Sequence, residues 1–296
     1  MERIGFIGLG LMGHGMAKHL LGKGYPLTFK AHRNRSNLTD LLAAGAREVQ
    51  TLAEVSAAAD IVFICVTGSP QVEAVMHGGL LEGSRPGQLI VDCSTAEPDS
   101  TTRLRAACAE RSVTFIDAPL ARTPKEAEEG RLNTMVGADD AGFARLAPVM
   151  KAFCENVIHV GPPGTGHVLK LINNFLALSI ATSTAEAFAA AGKAGLSLTK
   201  LVEVISAGGV NSGVFRMIGE GASRGDFTGM KFSIANGRKD MSYYTHMTES
   251  LGIASFVGEA VHQSLVQASA LGLGPRFLPS LIEAQEQLNN FKIVAR

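Results

Sequence analysis

At 296 residues and 46% hydrophobic content, the chain is long enough for about two domains of ordinary size and apolar enough to build a core in each. Lysine plus arginine and aspartate plus glutamate both total 27, so no broad field favours nucleic acid or an anionic membrane, and any anion site must be local. Cys65, Cys93, Cys108 and Cys154 form no CxxC pair and read as buried free thiols, while Glu2 and Arg3 lead into a strand rather than a signal peptide, so a cytoplasmic protein is expected.

The first apolar run, IGFIG at 4 to 8, passes into Gly8-Leu9-Gly10-Leu11-Met12-Gly13 and then into a helical stretch reaching about Leu21. A GxGxxG between a first strand and a helix is the setting that a dinucleotide site requires. The glycines let the backbone turn tightly and approach a pyrophosphate, whose charge then lies at the positive helix N-terminus. Gly8, Gly10, Leu11, Met12 and Gly13 are therefore candidate cofactor contacts; a chance glycine turn is the weaker alternative.

The second strand, PLTF at 26 to 29, ends in Lys30-Ala31-His32-Arg33-Asn34-Arg35-Ser36. No acidic residue stands between Glu2 and Asp40, so the carboxylate that would hold the ribose hydroxyls of NAD is missing. Arg33 or Arg35 is placed to grip a ribose phosphate instead, which favours NADP(H) and leaves NAD(H) possible.

Further strand runs follow at DIVFICV (60 to 66), QLIVDC (88 to 93), VTFIDA (113 to 118) and NVIHVG (156 to 161), with helix-like stretches between them. Such alternation implies a parallel sheet covered on both faces. At PPGTG the strand runs stop, which places a domain boundary near 162: residues 1–162 dinucleotide-binding, residues 163–296 all-helical. A long helix is expected over 167 to about 191, with others near 197–206, 211–222, 231–250, 253–271 and 278–290. The long helix contains Glu186 and many small polar residues, so it reads as a closely packed helix of a folded protein and no membrane is expected as a partner.

Near its start that helix reads VLKLINNF, with Lys170, Asn173 and Asn174 at i, i+3 and i+4, on one side of an otherwise apolar segment. His14, His19 and His167 stand at no metal-ligand spacing with Cys, Asp or another His, so they read as structural and no metal site is expected.

Over nearly its whole length the sequence resembles the β-hydroxyacid dehydrogenase family, which includes 3-hydroxyisobutyrate dehydrogenase and tartronate semialdehyde reductase. The resemblance is carried by IGFIGLGLMGHGMAKHL at 4 to 20, VDCSTAEP at 91 to 98, DAPLARTPKEAEEGRL at 117 to 132, GTGHVLKLINN at 164 to 174 and RKDM at 238 to 241. It implies an α/β Rossmann N-terminal domain with a parallel sheet, a long connecting helix and an all-α C-terminal domain that helps form homodimers or homotetramers. It also implies reversible hydride transfer between a nicotinamide cofactor and a short hydroxy acid or acidic aldehyde. On this reading Lys170 is the general acid and base, Asn174 holds the substrate with Asn173 in support, and Val66, Thr95 and Lys239 lie against the cofactor. An ammonium suits the role, because negative charge grows on the carbonyl oxygen as hydride arrives and the lysine can then deliver the proton.

One motif departs from the family. Where the substrate loop usually reads Ser-Gly-Gly, this chain has Ala121-Arg122-Thr123. A guanidinium fork suits a carboxylate, sulfonate or phosphate, so Arg122 and Thr123 become candidate substrate contacts. The loop is similar to the Gly-Arg-Thr of sulfolactaldehyde reductase, which makes a sulfonated aldehyde an alternative substrate. A non-catalytic nucleotide-binding scaffold and an imine reductase are further alternatives, and both are disfavoured by retention of the lysine.

Overall fold

The computed structural model describes residues 1–32, 35 and 38–294, in two compact units, Met1–Lys170 and Leu171–Arg296. The sequence boundary near 162 coincides with the turn before the long helix, whereas the units divide within that helix.

The first unit alternates strands and helices. Its first half runs β1 (Ile4–Ile7), α1 (Gly13–Gly22), β2 (Leu27–Phe29), α2 (Thr39–Ala43), β3 (Arg47–Glu48), α3 (Leu52–Ala57), β4 (Ile61–Ile64) and α4 (Ser69–Val75). Its second half runs β5 (Leu89–Asp92), α5 (Pro98–Ala109), β6 (Thr114–Asp117), β7 (Leu120–Ala121), α6 (Pro124–Glu128), β8 (Leu132–Gly137), α7 (Asp140–Met150) and β9 (Cys154–Gly161). Every residue of β1, β4 and β5 is buried, as expected of parallel strands covered on both faces. One face packs Phe6, Phe63 and Phe153, with Phe63 edge-on to Phe153 at 5.7 Å; the other packs Val62, Ile64, Ile90 and Phe115.

The strand order is β3-β2-β1-β4-β5-β6-β8-β7, with β9 paired to β8. β2, β1, β4, β5 and β6 pair in parallel, and the chain's order reverses beside β1, which opens the crevice where α/β sheets bind their ligands. The parallel expectation fails at one edge: β8 runs antiparallel to β6 and β7. Only the short helix α6 joins β7 to β8, too little chain for a parallel crossover.

The second unit continues α8 (Thr165–Lys193), which begins in the first, and adds α9 (Leu198–Ala207), α10 (Gly213–Ala222), α11 (Ile234–Ser250), α12 (Phe256–Ala268) and α13 (Leu281–Leu288). Ser197, Ser212 and Ser233 cap three of these by accepting the amides of Lys200, Phe215 and Asn236. The serines set helix starts that apolar periodicity alone places up to three residues early. By length and composition α8 could cross a membrane, contrary to the sequence expectation. Its Leu178, Ala181, Ala185 and Phe188, however, form the core of this unit with Ile218, Met241 and Leu265.

Candidate active site

The glycine loop follows directly from strand packing. Gly8, at φ +97°, lies so close to the end of β4 that a Cβ would stand 2.1 Å from the Cys65 carbonyl oxygen; at Gly13 a Cβ would stand 2.0 Å from the Gly8 carbonyl. Both positions exclude a side chain. Gly10 has nothing within 4 Å of its would-be Cβ, and Leu11 is 74% exposed, so the loop leaves open space before α1. Met12 stands at the N-cap of that helix, whose first turn holds no acid. Open space and a positive helix end fit a dinucleotide pyrophosphate.

Beside the loop, the Val66 amide donates to the Ser94 hydroxyl at 3.0 Å, which ties the end of β4 to the segment after β5 that carries half-buried Thr95. Arg33 lies outside the described residues. Arg35 makes a two-pronged pair with Glu48 of β3, both contacts 2.8 Å, and the guanidinium holds the Glu48 carboxyl below its usual range.

The Ala121-Arg122-Thr123 loop is engaged in more contacts than its sequence suggested. Arg122 takes a left-handed backbone, φ +82°, and its guanidinium pairs with Glu155 and donates to the Arg131 carbonyl at 2.6 Å. Thr123 caps α6: its hydroxyl accepts the Lys125 amide at 3.3 Å and donates to Glu126, which in turn accepts the Thr123 amide at 3.0 Å. That hydroxyl therefore has a helix-capping role in the fold.

Lys170, half-buried, closes the first unit one turn into α8. The start of this helix is fixed by Asp117, whose carboxylate accepts the Gly164 amide at 2.6 Å and the His167 amide at 2.9 Å. It is a cap supplied from a distant strand. On the same helix the exposed Asn173 amide donates to the Asn174 side-chain oxygen at 3.1 Å. Asn174, 8% exposed, donates to Asp240 at 2.6 Å, and Lys239 pairs with the other oxygen of that carboxylate at 2.8 Å. The Lys239 ammonium also stands 4.9 Å above the Tyr243 ring. Sequence reasoning missed Asp240, the buried group that fixes which way the Asn174 amide points; its signal was its place beside Lys239 in RKDM.

Two family models match the chain. Residues 3–161 match the NAD binding domain of 6-phosphogluconate dehydrogenase, and residues 164–278 match a model described as NAD-binding of NADP-dependent 3-hydroxyisobutyrate dehydrogenase. The chain is 31% identical to 2-(hydroxymethyl)glutarate dehydrogenase of Eubacterium barkeri, covering 98% of this chain and 97% of that one. It is 32% identical to 2-hydroxy-3-oxopropionate reductase of Escherichia coli, covering 98% and 99%. Among solved structures it resembles Mycobacterium tuberculosis 3-hydroxyisobutyrate dehydrogenase with L-serine at a TM-score of 0.87 and 25% identity, over 96% of this chain and 98% of that one.

Proposed function

The chain belongs to the β-hydroxyacid dehydrogenase family, and from that premise we propose that it is an NADPH-dependent reductase of short acidic aldehydes, working reversibly on the matching hydroxy acids. It is an NAD(P)-dependent oxidoreductase acting on hydroxyl groups. The observation that carries the finer reading is the polar side of α8: a lysine, then an amide at i+4 held in one orientation by a buried carboxylate.

When bound, the nicotinamide supplies or receives the hydride. Lys170, as ammonium, hydrogen-bonds the carbonyl oxygen, stabilises the charge that grows there and gives up a proton to it. In the oxidative direction the same amine starts neutral and takes the hydroxyl proton. Asn174, with its oxygen already engaged by Asn173 and one amide hydrogen by Asp240, has a remaining hydrogen to donate to a substrate oxygen. The missing acid between Glu2 and Asp40 supports NADPH over NADH, with Arg33 or Arg35 at the ribose phosphate; Arg35 would exchange Glu48 for it. Arg122 supports an acidic substrate. A sulfonated aldehyde is the second reading, favoured by a guanidinium that already grips an anionic oxygen, that of Glu155, from a strained backbone.

NADPH and NADH oxidation, measured side by side against succinic semialdehyde, glyoxylate, tartronate semialdehyde, methylglyoxal and sulfolactaldehyde, tests both readings. Turnover of one acidic aldehyde with NADPH is expected. Lys170→Ala should depress kcat by at least about 100-fold while NADPH still binds, and full turnover in that variant would sink the mechanism.

A further inference from the structure

Below the start of α8, within the first unit, lies a buried polar cluster that the reaction above does not use. His167 is 0% exposed, and its Nδ1 stands 2.7 Å from the Thr101 hydroxyl. That hydroxyl gives its own proton to the Glu97 carbonyl at 3.1 Å, so it accepts from the ring and Nδ1 carries hydrogen. The other nitrogen, Nε2, has no hydrogen-bond partner and faces Asp92 Oδ2 at 3.7 Å, beyond ordinary hydrogen-bond length.

Asp92 is 1% exposed, and its Oδ1 accepts the Ser94 amide at 2.9 Å. Burial pushes its carboxyl upward, opposed by the charge of His167 and the Ser94 hydrogen bonds and aided by Asp117. The other titratable groups facing the pair are that Asp117 carboxylate, engaged by backbone amides, and the thiols of Cys65 and Cys93. Burial pushes Cys65 up to about 12 and Cys93 well above its ordinary value, so both stay uncharged. Polar atoms buried this deeply are costly to leave without partners, so the close approach of ring and carboxylate is a feature the fold must hold in place.

The first turn of α8 is also packed tightly onto the sheet. A Cβ on Gly166 would stand 2.6 Å from the Met135 carbonyl and 2.7 Å from that of Asp117, so the first turn of α8 is pressed against the ends of β6 and β8. His167 is the side chain that pins this turn to β5 and α5 as well. Lys170 follows at i+3, one turn on.

We propose that His167 is a positioning residue for Lys170: its buried ring, bonded through Nδ1 to Thr101 and set against Asp92, locks the first turn of α8 to α5 and β5 and so fixes where the lysine presents its amine. This rests on Lys170 being the proton donor proposed above.

A double-mutant cycle separates this role from general support of the fold. His167→Phe keeps a ring but deletes both nitrogens. It is expected to lower kcat on the order of 10- to 100-fold, the effect of misplacing a catalytic group by about 1 Å, while the NADPH dissociation constant stays within about twofold. Introduced into Lys170→Ala, the same change should alter kcat by less than about twofold, because the group it positions is gone. An equal loss in both backgrounds, or no loss in the single variant, overturns the proposal. Should His167→Phe not fold, His167→Asn, too short to span Thr101 and Asp92, completes the same cycle, with an equal loss in both backgrounds or none in the single variant counting against the proposal in the same way. Full turnover by Lys170→Ala alone would instead strike at the reaction mechanism, an outcome read independently of the His167 variants.

Discussion

Arg122 pays for its place in the chain with a left-handed backbone, φ +82°, which costs a residue with a Cβ about 1 to 2 kcal/mol. It stands where the family's loop usually reads glycine, a residue that adopts this left-handed backbone without strain. Arg122→Gly relieves that strain and forfeits an ion pair whose Glu155 partner is 48% exposed, worth at most about 1 kcal/mol, so the melting temperature should barely move. KM for the acidic aldehyde should rise by about tenfold or more at nearly unchanged kcat. Unchanged KM would show that the guanidinium serves Glu155 and the Arg131 carbonyl alone. At this scale the sequence was readable where one element carries the pattern, as with Lys170, Asn173 and Asn174 on one side of α8. It was silent where the partner is remote in sequence. Nothing in KAHRNRS announces that Arg35 meets Glu48, and nothing in VLKLINNF announces Asp240. His167 read as structural because its partners, Thr101 and Asp92, come from other elements.

Between elements, His14 of α1 is a clamp. Its Nδ1 stands 2.6 Å from Glu128 at the end of α6 and its Nε2 stands 3.0 Å from Asp40 of α2. With both nitrogens facing carboxylates the site favours the imidazolium form of the ring. Burial opposes that charge, but the hydrogen bonds to Glu128 and Asp40 outweigh it and raise the ring's pKa; Lys18, 3.4 Å from Glu128, is the other cation nearby. A raised folded pKa means the stabilisation is complete below the unfolded value of about 6.5 and fades as pH climbs through the folded one. Asp40 and Glu128, raised by burial and lowered further by His14, set the acid limit, where the contribution fades as pH falls through their depressed values. Both carboxylates are largely open to water, so the effect is at most about 1 kcal/mol. His14→Gln should melt on the order of 2 °C below the parent at pH 6 and level with it at pH 9. A difference that persists at pH 9 would mean the clamp does not depend on the ring's charge. Element legibility followed the same logic of local against remote. Continuous apolar runs revealed β1, β4 and β5. β3 and β7, two residues each, are too short for any period, and β8 was hidden by Thr134. That threonine is fully buried because its hydroxyl donates to the Ala118 and Pro119 carbonyls at 3.1 and 3.2 Å, a solution only the fold can supply.

For the whole molecule, self-association is the expectation that its surface sharpens. At the turn from α11 into α12, Leu251, Ile253, Phe256 and Val257 are 61%, 56%, 85% and 59% exposed, a run of large apolar side chains that monomers seldom leave in water. A zero net charge adds no repulsion between copies. At the β3 end of the sheet the edge strand is two residues long, which makes strand-to-strand pairing there a poor route and leaves helical faces as the better one. A homodimer or homotetramer that buries this turn should appear by light scattering as a multiple of 31.1 kDa. Phe256→Glu would place a charge in that contact and should shift the mass toward 31.1 kDa and make the melting temperature depend less on protein concentration. If the variant keeps the parent's mass, copies meet elsewhere. If the parent itself runs at 31.1 kDa, the exposed turn does not serve self-association at all.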